Sequence, residues 1–230
     1  MTPYTGDVAT RTAPPNEAGI SRPGLTRSQI IEVALSLVDA EGLDRLTLRR
    51  LAEHLEVTPM ALYWHFRDKD ALLSALGEHL FSSVTYPAPV EDHLDDLARV
   101  LEAVLQVLRR HVAIAPLALS AVLTTESGLV LAERVLTLLV EAGLDDRTAA
   151  NVGGILLHDA VALVTSIPNV QAKISAETAP AVDATRFVVT ARLSSHLFEC
   201  DDIDRWVEDG LRLMMLGVRG LLLESADLSH

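Results

Sequence analysis

The side chains with most chemical potential crowd into one stretch: Thr47, Arg49, Thr58, Pro59, Met60, Ala61, Tyr63, Trp64 and His65, followed by Lys69. Thr47 can cap a helix whose apolar positions Leu48, Leu51, Ala52 and Leu55 share one face. Glu56 and Val57 then turn the chain, and Thr58 can cap a second helix with Pro59 in its first position. In that short helix Leu62 and Phe66 stand four apart and point inward, which leaves Pro59, Met60, Ala61, Tyr63, Trp64 and His65 for the other faces. The chain has only two Trp and three Tyr, so an adjacent aromatic pair on so small a helix needs a reason. A surface that meets DNA phosphates and thymine methyl groups supplies one.

Other reactive types carry less. His158 and Asp159 suggest acid–base or metal chemistry, but neighbours on a helix point about 100° apart and form no dyad. A hydrogen-bonded core histidine is the expected state of His158, with a polar contact to a bound ligand as the alternative. The single Cys200 cannot form an internal disulfide and reads as a packing residue. There is no nucleophile elbow, no phosphate-cradling glycine loop and no His or Cys pair at metal spacing, and Gly153-Gly154 lies within a helical pattern. No catalytic residue, metal site or cofactor is expected. An all-helical enzyme using His158 is the competing class.

Helices must position these groups. Hydrophobic residues make up 49% of the 230 but aromatics only 4%, the apolar mass being Leu, Val and Ala without strand-like alternation, so an all-α fold follows. Residues 1–25, with four Pro and three Gly, read as a disordered arm. Arg11 and Arg22 make it either a minor-groove arm or a solvated tail. Thr26 and Gln29 form a capping-box pattern ahead of Ile30, Val33, Ala34, Leu37 and Val38, a helix closed by Gly42. Asp68 can cap a fourth helix bearing Leu72, Leu73, Leu76 and Leu80, which Tyr86-Pro87-Ala88-Pro89 stops. Six further helical segments cover 92–111, 115–124, 127–142, 146–166, 181–199 and 203–224. Ile167-Pro168-Asn169 is expected to end the fourth of these, with a polar loop running on to Pro180. The resulting division is an arm at 1–25, a helix-turn-helix unit at 26–80 and a larger helical unit at 81–230. No apolar run is expected to approach the ~20 residues of a membrane span, the nearest, Leu211–Leu223, being cut by Arg212 and Arg219, so a soluble, cytoplasmic protein is expected.

The net charge of −13 is unevenly spread. Residues 1–80 carry −3 and residues 81–230 carry −10, while 45–69 carries +2. An acidic body that repels DNA everywhere except at one face is compatible with that distribution.

Ile30-Ile31-Glu32-Val33-Ala34-Leu35, Glu41-Gly42-Leu43, Leu46-Thr47-Leu48-Arg49 and Leu62-Tyr63-Trp64-His65-Phe66 with Asp70-Ala71-Leu72-Leu73 closely resemble the amino-terminal domain of TetR-family transcriptional regulators. The resemblance is specific from Thr26 to Leu80 and weaker beyond. It implies a bacterial, homodimeric repressor that binds palindromic double-stranded operator DNA and is released by a small-molecule effector. It assigns Arg49, Tyr63, His65 and Lys69 to the DNA interface, with Thr47 and Thr58 presenting backbone N–H groups to phosphates; Pro59, Met60 and Ala61 depart from a polar reader near the helix start and can touch thymine methyls but cannot donate to base edges. Trp64 either joins them or packs against the first helix. Glu56 sits where the family usually carries Gly, at a cost of about 1 kcal/mol if its backbone is left-handed.

The same resemblance makes Val152–Ala162 and Leu211–Leu223, apolar nearly all round and interrupted by small residues, the halves of a four-helix dimer seam. Tetracycline-responsive family members hold a divalent metal and the drug with His and Glu side chains. The matching positions here are Thr85, Leu117 or Ala118, and Ser166, none of which can do so. A largely apolar effector is expected instead, against Leu105, Leu117, Leu123, His158, Leu163 and Phe187. The alternative is a small-molecule-binding or sequestering protein with a vestigial DNA head.

Overall fold

The computed structural model describes residues 25–173, 183–198 and 203–227, with side chains through 166 and 225 in the outer segments and to 194 between them. The expected arm with Arg11 and Arg22, most of the loop before Pro180, and Cys200 lie outside the described residues. All regular structure among the described residues is helical. The helices are α1 (Arg27–Glu41), α2 (Leu48–His54), α3 (Pro59–Tyr63), α4 (Lys69–Ser82), α5 (His93–Arg110), α6 (Ala118–Ala121), α7 (Glu126–Glu141), α8 (Asp146–Lys173), α9 (Val188–Phe198) and α10 (Ile203–Asp227).

Local chemistry starts and stops most of them as the residue types require. Thr26 Oγ1 accepts from the Gln29 N–H at 3.2 Å and Gln29 Oε1 accepts from the Thr26 N–H at 2.9 Å, a complete capping box. Gly42 (φ 87°) ends α1 with its N–H on Val38 O. Thr47 caps α2 through the Arg50 N–H, and Asp68 caps α4 through the Ala71 N–H at 2.8 Å. Asp92 and Asp145 do the same for α5 and α8. Thr58 departs from expectation: it occupies the cap position of α3, but its side chain accepts no capping bond, and its carbonyl takes the Ala61 N–H instead.

Two boundaries differ from the sequence reading. The helix begun at Asp146 runs through Ile167-Pro168-Asn169 to Lys173. One proline removes a single main-chain hydrogen bond, which a long helix already packed on its neighbours can absorb. Helix α9 starts at Val188 rather than near Ala181 because Asp183 first builds a turn, its carboxylate taking the Thr185 N–H and Oγ1 and its carbonyl the Phe187 N–H.

Ile30, Ala34 and Val38 of α1, Leu51 of α2, Leu62 of α3 and Leu72, Leu76 and Leu80 of α4 are buried in one continuous core. Helix α4 extends that core into the carboxyl-terminal bundle by packing on α6, α7 and α5, while α5 and α8 pack on each other and each on α7 and α10. Arg134 of α7 pins the connector between α4 and α5: it donates to Pro87 O at 3.0 Å, reaches both Asp96 oxygens at 3.3 and 3.4 Å, and lies over the Tyr86 ring. Asp96 is buried, so this pair tolerates little rearrangement. The α8 stretch Asp146–Ser166, 21 residues with mean hydropathy 1.3, is long and apolar enough by composition to cross a membrane. A search for uninterrupted apolar runs misses it because Arg147 and Asp159 break the run. One side of it packs against α5, α7 and α10.

Candidate nucleic-acid interface and effector chamber

Packing forces the outer face of α3 outward. Leu62 and Phe66 are buried, and the N–H groups of His65 and Phe66 both reach Leu62 O at 2.9 Å, closing the helix tightly after Tyr63. With those two anchors used, Trp64 is 86% exposed and Met60 and Tyr63 are exposed beside it. The alternative packing of Trp64 against α1 therefore does not occur. From α1, Arg27 stacks instead on Phe66, its guanidinium 4.6 Å from the ring centroid. Pro59 and Thr58 are exposed, Ala61, His65 and Lys69 partly so.

On α2, Arg49 extends into solvent with Glu53 Oε1 3.3 Å from its Nε. Thr47 is exposed at the start of the helix. All ten residues singled out by the sequence are thus exposed or partly exposed along α2, α3 and the first turn of α4. Two cations in the same stretch behave differently from one another. Arg50 pairs with Glu41 at 2.6 Å, tying α2 to α1, and its hydrogen bond holds the Glu41 carboxyl below the usual range. Arg67, not singled out beforehand, stands exposed beyond α3 with Asp68 Oδ2 2.8 Å away. Its position directly after the aromatic triplet was the available signal. The turn between α2 and α3 places Glu56 at φ 53°, the one non-glycine with positive φ among the described residues.

In the carboxyl-terminal bundle a cavity of about 220 Å³ opens between α5, α7, α8 and the residues following α6. Of the six residues expected to line an effector site, Leu123 is in its wall. Leu105 is buried in the core nearby and Leu117 is packed against that core. Leu163 lies instead in a separate groove between α8 and α10, and Phe187 is exposed ahead of α9. His158 is not a core histidine: its side chain is 70% exposed, with Nδ1 3.8 Å from Asp159 Oδ1, beyond hydrogen-bonding distance. Helix α8 buries Val152, Leu156, Ala160 and Val164 toward the bundle, which turns position 158 away.

The groove between α8 and α10 is larger, about 650 Å³, and open. Gly210 approaches α8 so closely that a Cβ would stand 2.5 Å from Leu163 Cδ2. Around the groove Ile155, Leu213, Leu216 and Trp206 remain exposed in the single chain.

Helix α4 joins the two regions. Gly77 abuts Ala121 of α6, and Glu78 accepts the Ser127 N–H at 3.0 Å at the start of α7. Burial tends to raise the Glu78 carboxyl, but its bonds from Ser127 and Thr125 prevail and hold it below the usual range. His79 meets the His111 ring edge-on at 6.0 Å between centroids. Burial, and secondarily His111, push the His79 imidazole below its ordinary value against a weaker opposing pull from Glu32.

An outward aromatic helix fed by α2, joined by one long helix to an all-helical bundle with an internal cavity, is matched by two family descriptions. Residues 30–76 match the bacterial regulatory proteins of the tetR family, and residues 86–222 match the tetracyclin repressor-like C-terminal domain. The chain belongs to the TetR family. Tetracycline repressor protein class C from Escherichia coli is 46% identical over 69 residues, 30% of this chain and 32% of that protein. The matched stretch therefore spans about a third of that relative's length. Apo ActR from Streptomyces coelicolor is 29% identical with a TM-score of 0.69, covering 90% of this chain and 100% of the other. The ActR complex with actinorhodin is 27% identical with the same TM-score, covering 86% and 98%.

As a TetR-family regulator the chain has Thr85, Leu117 or Ala118, and Ser166 where tetracycline-responsive members were expected to place metal- and drug-holding side chains. Among the described residues no group of three or more His, Cys, Asp or Glu side chains converges.

Proposed function

We propose that this TetR-family chain is a repressor that binds a palindromic operator as a homodimer through residues 26–80 and is released when a small molecule occupies residues 81–230. The observation that carries the reading is the outward projection of Met60, Tyr63 and Trp64 from a helix whose other side is locked by Leu62 and Phe66. Apolar side chains of that size are left in water on a short helix at a cost that contact with a major groove would recover. Arg49 and Lys69 flank them as phosphate contacts, and Pro59, Met60 and Ala61 offer methyl-sized contacts to thymine. Thr47, Thr58 and His65 complete the surface.

The exposed faces of α8 and α10 are the natural dimer seam, since Ile155, Leu213 and Leu216 of one chain would be covered by those of another. In such a dimer the two α3 helices must sit about 34 Å apart to enter successive major grooves. A ligand that fits only a conformation with another spacing shifts the population off DNA, α4 acting as the lever. A tenfold loss of occupancy needs ~1.4 kcal/mol of differential affinity. Family membership supports a DNA-binding regulator over an enzyme, and Asp159, the acid beside His158, stands beyond hydrogen-bonding distance of its ring.

A gel-shift series against the chain's own upstream DNA tests the reading. Arg49→Ala and Tyr63→Ala should each abolish sequence-preferring binding at moderate salt while leaving the fold intact by circular dichroism. If the unaltered protein shows no sequence preference, the repressor reading fails. A sequestering protein with a vestigial head, favoured by the acidic balance, would bind small molecules but be indifferent to both substitutions.

A further inference from the structure

We propose that the cavity between α5, α7 and α8 takes an uncharged molecule of about nine non-hydrogen atoms that places no hydrogen-bonding group inside it. This rests on the reading of residues 81–230 as the effector unit and names the class of effector.

Chemistry of the wall carries it. Leu101 and Val104 come from α5, Leu131 and Val135 from α7, Leu157 and Ala160 from α8, and every remaining lining residue is also Leu, Val, Ala or Gly. Among the described residues the lining therefore holds no side-chain hydroxyl, amide, imidazole, carboxylate, cation or aromatic ring. Main-chain groups of the three helices are spent on their own ladders. A polar ligand atom lodged between these three helices loses its water and meets no side-chain partner, and a charged one loses far more. His158, the one polar group expected to orient a ligand, faces away from the cavity. Size follows from volume: an apolar protein cavity of ~150 Å³ accepts benzene, so about 220 Å³ corresponds to roughly half as many atoms again. The α8–α10 groove is unsuited to the same ligand, since Asp159, Ser166 and Trp206 line it and it is open to solvent.

Cumene and benzoate have the same number of non-hydrogen atoms and the same ring, and differ in a neutral isopropyl group against a carboxylate. Isothermal titration of the full-length protein with each should show cumene binding at least about tenfold more tightly. Ala132→Leu, which fills the cavity from α7, should weaken cumene by about tenfold or more. Leu157→Ala, which enlarges it, should instead admit the larger hydrocarbon biphenyl, raising its affinity relative to the unaltered protein. Benzoate matching cumene, no measurable cumene binding, or cumene binding indifferent to both substitutions would each overturn the proposal. Gel shifts run in parallel keep the two readings apart: absence of sequence-preferring DNA binding by the ligand-free protein sinks the repressor, whereas the ratio of cumene to benzoate judges the cavity alone.

Discussion

Gly77 of α4 lies so close to Ala121 of α6 that a Cβ on residue 77 would stand 2.5 Å from the Ala121 Cβ. The helix carrying the reading head therefore touches the effector bundle through a contact with no slack. Gly77→Ala must displace one helix, and overpacking of this kind costs about 1–3 kcal/mol. Urea unfolding should show that loss, and pairing it with Ala121→Gly should return most of it. Additive losses in the double variant would mean that the two positions do not meet.

Glu56 holds a left-handed backbone that glycine adopts without strain. Glu56→Gly should raise stability by about 0.5–1 kcal/mol, the relief of strain exceeding the added freedom of the unfolded chain. Thermal denaturation reads this as a rise of a few degrees in Tm. A fall in Tm would contradict it.

Arg134 and Asp96 anchor the connector between α4 and α5 from inside the protein. Removing one member strands the other, at a cost of about 3 kcal/mol. Asp96→Ala should thus be among the most damaging single changes by chemical denaturation, whereas Arg49→Ala, on an exposed pair, should leave the midpoint nearly unmoved.

The His79–His111 contact predicts an acid-sensitive junction. Folding lowers the His79 value from its ordinary 6.5, so the unfolded chain takes up the proton first. Stability is unaffected above about pH 6.5 and falls as pH drops below it. His111→Gln should reduce, without abolishing, the slope of Tm between pH 6.5 and 5.5, because burial of His79 remains the larger cause. Glu78, Asp92 and Asp145, all held below their ordinary values of 4.5 or 3.8, lose their contribution only at lower pH and do not blur that window.

Exposed Leu213 and Leu216 test the seam. Leu213→Asp with Leu216→Asp should yield a monomer by sedimentation and weaken operator binding even though neither residue is near α3. Persistence of the dimer would place the interface elsewhere.

Most caps and turns were written plainly in the residues, the Thr58 cap being the exception. Thr26 with Gln29, Thr47, Asp68, Gly42 and Asp145 all act as their types dictate, because a cap depends on neighbours within four positions. The inward pair Leu62 and Phe66 was equally legible, and with it the outward face of α3. Direction on α8 was not: a helix apolar nearly all round has no single stripe to show which way His158 turns. The same uniformity hid which leucines enclose the cavity. Leu123 and Leu163 are alike in type but end in different spaces, since a cavity is what remains after helices have met. Pro168 illustrates the third limit, a local stop signal overruled by a long helix.

The uncovered α8–α10 face also bears on dosage. If only paired chains grip the operator, their abundance at low expression rises with the square of chain number, so halving synthesis would remove about three-quarters of the active species. Control would then behave as a threshold in protein supply, before any effector enters the cell.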